Sequence, residues 1–298
     1  MSITDLIKEA IKENKPNIGT SSLTTYTSIL KNLWKKYGKD DFNIKWYSDQ
    51  EARLKDLEEV KPNIKKTLLS ALISITKDTD NKDYKKIMMQ SAQVVQANNL
   101  KQEKTETQSK NWITQEDLLT KFNQLKKDTK PLWNKQELTK PEYMKLQELI
   151  LLMITSGLMI QPRRSKDWSE FKLKNITDKD NYIKGNKLYF NTYKGSEDKG
   201  QQIVELPTDR KPQVALFKKF IKLNPHEYLL TDSKGNKLNS VKINQYLEKL
   251  FGKKISINIF RHSFLSEKYP AQLQEMTSDA KNMGTSVGTI INQYLKKD

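Results

Sequence analysis

Apolar residues recur at helical spacing through the first hundred positions. From Tyr26 they fall at Ile29, Leu30, Leu33, Trp34 and Tyr37, behind a Thr/Ser run that can cap a helix and ahead of Gly38, which can end it. Pro62 opens a second stripe, with Ile64, Leu68, Ala71, Leu72 and Ile75 on one face, and a third runs from Asp83 through Tyr84, Ile87, Met88, Val94 and Val95. Positions three and four apart share a helix face, so these stripes predict core-forming amphipathic helices. Lys101 to Asn111 contains no apolar residue and has nothing to bury, which predicts a linker. Thr114, with Asp117 three residues on, predicts a new helix start, and helices are expected to continue to about Ile160. The period then shortens: "NKLYFNTYK" and "QQIVELP" flank "GSEDKG" and predict an antiparallel hairpin. Helical patterns resume from about Gln213, interrupted by turns at "NPHE" and "DSKGNK". The expected fold is mainly α with a small antiparallel β-sheet: a helical N-terminal domain over 1–103, a linker over 104–111 and an α+β domain over 112–298.

A length of 298 residues suits two domains of ordinary size. The absence of cysteine excludes disulfides, thiolate nucleophiles and cysteine-based metal sites. The longest apolar run, Leu149 to Ile160, is too short for a membrane span and is broken by Thr155, Ser156 and Gly157, so it reads as a buried helix. The N-terminus lacks the apolar stretch of a signal peptide. An intracellular protein without a membrane partner is expected.

Charge adds a partner. Lys and Arg total 53 against 36 Asp and Glu, a net +17. Such a field favours a polyanion, because each neutralised phosphate releases condensed counterions. Solvated lysines that serve solubility would give the same composition. No His/Asp/Glu group has metal-ligand spacing and "KGSEDKG" is not a phosphate-binding loop, so no metal and no cofactor is expected.

Arginine is rare in this lysine-rich chain, with five residues: Arg53, Arg163, Arg164, Arg210 and Arg261. A guanidinium offers a planar fork of donors that grips a phosphate bidentately, which lysine cannot reproduce. Arg163 and Arg164 follow the apolar run in "QPRRSKDW", and Arg261 stands beside His262 in "INIFRHSF". Lys194 lies between them on the expected hairpin, and Tyr294 sits in "INQYLKKD". The other histidine, His226, reads as a turn residue.

In order and spacing these boxes resemble the tyrosine recombinase (phage integrase) family across essentially the whole chain. In that family an acid follows the first catalytic arginine by three residues and an apolar residue by four. Arg164, Asp167 and Trp168 fit that pattern, whereas Arg163 would put Lys166 at the acid, so Arg163 and Asp167 are taken as supporting residues. The family's hairpin lysine matches Lys194. Its His-x-x-Arg-His box reads Asn258-Ile259-Phe260-Arg261-His262. Its Gly-His-Ser box reads Gly284-Thr285-Ser286, with Tyr294 nine residues after Thr285. The chain departs from the family at Asn258 and Thr285, where histidine, or in the second case sometimes tryptophan, is usual. The Pro-Arg-Arg form also resembles versions in large DNA viruses, their satellite viruses and eukaryotic mobile elements.

The resemblance implies a core-binding (SAM-like) N-terminal domain and a catalytic C-terminal domain that together encircle double-stranded DNA. It implies cleavage and rejoining through a 3′-phosphotyrosyl intermediate without metal or ATP, by a homotetramer on two DNA sites. Only four residues follow Tyr294, so any exchange of C-terminal segments must use the tyrosine helix or what precedes it, and a free monomer is expected. A type IB topoisomerase-like enzyme and a non-catalytic DNA-binding protein are the competing expectations.

Overall fold

A computed structural model of the chain describes residues 2–38 and 41–295. The chain divides after Lys104 into two compact units.

The first unit is helical: α1 (Ile3–Asn14), α2 (Thr20–Tyr37), α3 (Gln50–Asp56), α4 (Pro62–Ile75) and α5 (Lys82–Leu100). Ser2 caps α1 by accepting from the Asp5 N–H, Gly38 ends α2, and Pro62 starts α4 where its missing N–H costs nothing. The apolar stripes close on one core containing Ile7, Ile11, Leu30, Leu69, Leu72 and Ile75. Two buried tyrosines satisfy their hydroxyls on backbone: Tyr47 donates to Leu30 O at 2.9 Å and Tyr84 to Tyr47 O at 2.7 Å. Arg53 is structural here, with its guanidinium 3.5 Å from the Trp46 ring centre and its Nε 2.7 Å from Asp56.

The second unit begins inside the segment expected to be a linker, with α6 (Glu106–Lys110). Thr105 and Gln108 form a reciprocal capping box, a T-x-x-Q signature that gives five polar residues a helical turn without burial. There follow α7 (Gln115–Thr129), α8 (Lys140–Thr155), α9 (Ser165–Ser169), β1 (Phe171–Lys172), β2 (Asn181–Lys184), β3 (Lys187–Phe190), α10 (Ser196–Lys199) and β4 (Gln202–Glu205). The chain continues through α11 (Lys211–Leu223), α12 (Ser240–Phe251), α13 (Ile257–Lys268), α14 (Pro270–Asn282) and α15 (Val287–Thr289). Thr114 and Asp117 cap α7 reciprocally. Helix α8 is buried nearly all round, and it packs with Trp168, Phe171, Phe190, Phe217 and Phe260 in a single core. Among the described residues no helix is long and apolar enough to cross a membrane.

Two expectations need correcting. Helix α8 stops at Thr155, not near Ile160, because Gly157 takes φ +96°, a left-handed conformation that ends a helix. The backbone there also presses on Phe264 of α13: a Cβ at 157 would lie 2.5 Å from the ring. Gly157→Ala therefore combines positive-φ strain with overpacking, and a loss of about 1–3 kcal/mol is expected in urea unfolding.

The sheet is also mixed instead of antiparallel. Its order is β1-β2-β3-β4, and β1 pairs with β2 in parallel, Phe171 opposite Asn181. The chain between them loops back to re-enter beside its own start, as a parallel pair requires. The other two pairings are antiparallel, and β3–β4 is the expected hairpin, with α10 in its connection.

A capping box at the start of α8 gives a pH dependence. The Glu142 carboxyl is held down at about 2, from an ordinary 4.5, by the Lys135 ammonium and then by the Thr139 N–H and hydroxyl. A depressed folded value stabilises the fold above the unfolded value and is lost on acidification. Melting temperature should therefore fall between about pH 4.5 and 2, and Glu142→Gln should flatten the curve in that window.

Candidate active site

Ending α8 at Gly157 turns the chain into an extended segment that delivers Arg163 and Arg164 to the start of α9. The two neighbours have opposite surroundings. Arg163 is mostly buried: its Nε donates to Asp167 Oδ2 at 2.9 Å, its Nη2 to Gln202 Oε1 on β4 at 3.0 Å, and its guanidinium carbon lies 3.8 Å from the Phe190 ring centre. Arg164 is exposed at the N-cap of α9 and has no hydrogen bond or ion pair among the described residues.

Asp167 is the acid at the centre of this region. Its side chain is 5% exposed, Oδ2 is taken by Arg163, and Oδ1 is buried without a hydrogen-bond partner. Burial pushes its carboxyl above the ordinary carboxylate value, against the pull of Arg163, Arg164 and Arg261. Burial likewise lowers Arg163, and Asp167 opposes that shift. Arg261, about a hundred residues away in sequence, is among the charges that lower the Asp167 carboxyl, so the second arginine box lies within electrostatic range of the first.

Arg261 is carried by α13, which Ile257, Phe260 and Ser263 anchor in the interior. Phe264 holds the helix against Gly157, and Ser263 with Glu267 ties it to Gln115 at the start of α7. Asn258, Arg261 and His262 lie three and four positions apart and so share a face. Asn258 and His262 are exposed and Arg261 half-buried, and among the described residues none of the three side chains has a hydrogen bond or ion pair. Of the five arginines, Arg53, Arg163 and Arg210 are engaged by the protein, Arg210 by donating to Gly157 O. Arg164 and Arg261 are the two left without such a partner.

Lys194 lies in the β3–β4 connection. Tyr193 beside it is buried, donating its hydroxyl to Gly200 O at 2.8 Å, and Gly195 turns the chain at φ +90°. That anchor leaves Lys194 exposed and, among the described residues, unpaired.

Thr285 follows α14 in a tight turn through Gly284 (φ +67°), its N–H bonded to Ala280 O at 2.9 Å. Ser286 caps α15, and the chain widens into a π-helical turn over Ile290–Tyr294. Tyr294 is 56% exposed. No hydrogen bond or ring contact joins it to Arg164, Lys194, Asn258, Arg261 or His262. The two arginine boxes thus lie within electrostatic range of one carboxylate, and among the described residues no contact joins the tyrosine to them. Residues 296–298 lie outside the described residues. Leu265, Tyr269, Leu273, Met283, Ile291 and Leu295 are exposed apolar residues of the same C-terminal region. His226 is a turn residue, its N–H on Asn224 Oδ1 and its ring edge-on to Tyr143.

No protein-family model matches the chain, and no curated protein matches it. Solved structures do resemble it over nearly its whole length. A lambda integrase(75-356) dimer bound to a COC′ core site is 15% identical with a TM-score of 0.48, covering 98% of this chain and 93% of that one. A second lambda integrase dimer on a COC′ core site is 16% identical with a TM-score of 0.49, covering 98% and 75%. XerA recombinase is 11% identical with a TM-score of 0.38, covering 99% and 94%. Identities of 11 to 16% assign no residue of this chain a role.

Proposed function

We propose that the chain is a site-specific DNA strand transferase of the recombinase or integrase type. The observation that carries this reading is the pair Arg164 and Arg261: among the described residues neither has a hydrogen-bond or ion-pair partner, the charge of each reaches the buried Asp167 carboxylate, and both occupy the arginine positions of one motif order. Two guanidiniums whose charges reach the same buried carboxylate, in a chain of net charge +17, suit a phosphodiester.

In the proposed reaction the Tyr294 hydroxyl loses its proton as its oxygen bonds to phosphorus, and the bond from phosphorus to the 5′ oxygen breaks. Negative charge grows on the non-bridging oxygens, where Arg164 and Arg261 stabilise it, and Lys194 gives a proton to the departing 5′ oxygen. Attack by the freed 5′ hydroxyl of another strand reverses these steps and releases the tyrosine. The phosphotyrosine conserves the bond energy, so rejoining needs no nucleotide, and the arginines supply the charge a divalent metal would otherwise bring. Asn258 can donate to phosphate but cannot take a proton, which leaves His262 on the same helix face, or water, as acceptor for the tyrosine proton. Thr285 offers only a short hydroxyl near the tyrosine turn. Slow turnover follows from these two residues.

The helical first unit is assigned to core DNA binding and the second to catalysis, joined over 104–111. The exposed apolar residues of the C-terminal region support assembly of copies on DNA, as a tetramer on two sites, with the free protein a monomer. The test is incubation with a random-sequence pool of nicked duplexes in EDTA, followed by a denaturing gel. A protein–DNA band that survives denaturation supports strand transfer. Retarded DNA without that band would leave a binding protein, and relaxation of supercoiled plasmid without exchange between two duplexes would favour the topoisomerase reading.

A further inference from the structure

The general acid of this reaction stands on a loop, and a loop needs something to set its distance from the arginines. The first residue of β2, Asn181, lies where that is decided. It is fully buried, and all four of its hydrogen-bonding positions are used. Its Nδ2 donates to Asp167 O in α9 and to Thr192 O, both at 2.8 Å. Its Oδ1 accepts from the N–H groups of Asn191 and Thr192, both at 2.8 Å. One side chain thus splices the backbone of the arginine box to the backbone two residues before Lys194. A second tie runs in parallel: Arg163, stacked on Phe190 at the end of β3, holds Asp167 with one nitrogen and Gln202 of β4 with another.

From this we infer that Asn181 is a positioning residue: it sets Lys194 against the Arg164 clamp, with the Arg163–Gln202 link as its reinforcement. A purely structural role for Asn181 would be met by pairing within the sheet. Its side chain instead bonds no other side chain and joins exactly the two backbone segments that carry the proposed acid and the proposed clamp. The inference rests on the strand-transferase reading, and it makes the fit of Lys194 depend on a residue that touches no DNA.

The test uses the duplex that the wild-type chain cleaves best from the random pool, synthesised with either oxygen or sulfur at the 5′-bridging position of the cleaved bond. With sulfur the bond from phosphorus to sulfur breaks and a thiolate leaves, which needs no proton. A defect confined to the general acid should therefore vanish on that substrate. Asn181→Ala should slow adduct formation about 10²-fold on the oxygen substrate, as a small displacement of a catalytic group does. On the sulfur substrate it should come within about threefold of wild type, the pattern also expected of Lys194→Ala. Gln202→Leu, on the edge strand and half-exposed, provides a second variant should Asn181→Ala fail to fold, with a smaller loss and the same rescue. Equal losses on both substrates, or wild-type rates on the oxygen substrate, would overturn the positioning role. Failure of wild type to form an adduct with any member of the pool would instead overturn the strand-transferase reading itself.

Discussion

Tyr294→Phe is expected to abolish the covalent protein–DNA species while leaving DNA retardation in native gels unchanged. The substitution removes one oxygen from a side chain that is more than half exposed and bonded to nothing, so it costs the fold nothing measurable. It removes the atom proposed to form the bond to phosphorus. No neighbouring group replaces it: the segment has Thr285, Ser286 and Thr289, but Ser286 Oγ is committed to capping α15 and to Thr289. A second tyrosine, Tyr269, lies at the junction of α13 and α14 and serves as the control, with Tyr269→Phe expected to form the adduct normally. The opposite pattern would move the nucleophile.

The second large effect separates adjacent arginines. Arg164→Ala and Arg261→Ala should each slow adduct formation about 10²–10³-fold, the usual cost of losing one preorganised donor at a developing oxyanion. Arg164→Ala should leave stability within about 0.5 kcal/mol, because Arg164 is exposed and makes no bond among the described residues. Arg163→Ala should fall first on stability, with a smaller loss of cleavage that the 5′-sulfur substrate rescues: it leaves the Asp167 carboxylate buried and unpaired, strands Gln202 and uncovers Phe190. Breaking one side of such a buried pair costs about 3 kcal/mol or more. Unfolding in urea and single-turnover cleavage, measured on the same two variants, distinguish a clamp from a clip.

The parts of this architecture that are local were legible in the chain. Helical stripes, the caps at Thr114 and Pro62, and the hairpin around Lys194 each depend on residues within a few positions of one another, and they formed as the spacing predicts. The order of the arginine, lysine and tyrosine boxes is equally a property of the line. What the line concealed was set by distant partners. Gly157 was visible as a break in an apolar run, but its close packing depends on the ring of Phe264, which arrives from another helix. The parallel pairing of β1 depends on where a loop returns. Asn181 carries no signal of its own, because its partners are backbone atoms of residues whose type is irrelevant to the bond. The surroundings of Arg163 and Arg164 were half legible: motif spacing makes Arg164 the proposed clamp, and only the fold gives Arg163 its stacking partner and its acceptor on β4. The helical turn at 106–110 was missed for a simpler reason, since Thr105 and Gln108 are a cap written in purely polar residues.

The central claim is that Tyr294 becomes joined to the 3′ phosphate of a cut DNA strand. Its most direct measurement is mass spectrometry of the adduct after trypsin and nuclease digestion. The account predicts a nucleotide on the peptide spanning 282–296, attached through its 3′ phosphate to Tyr294. A nucleotide on any other residue, attachment through a 5′ phosphate, or cleaved DNA with no modified peptide would contradict it.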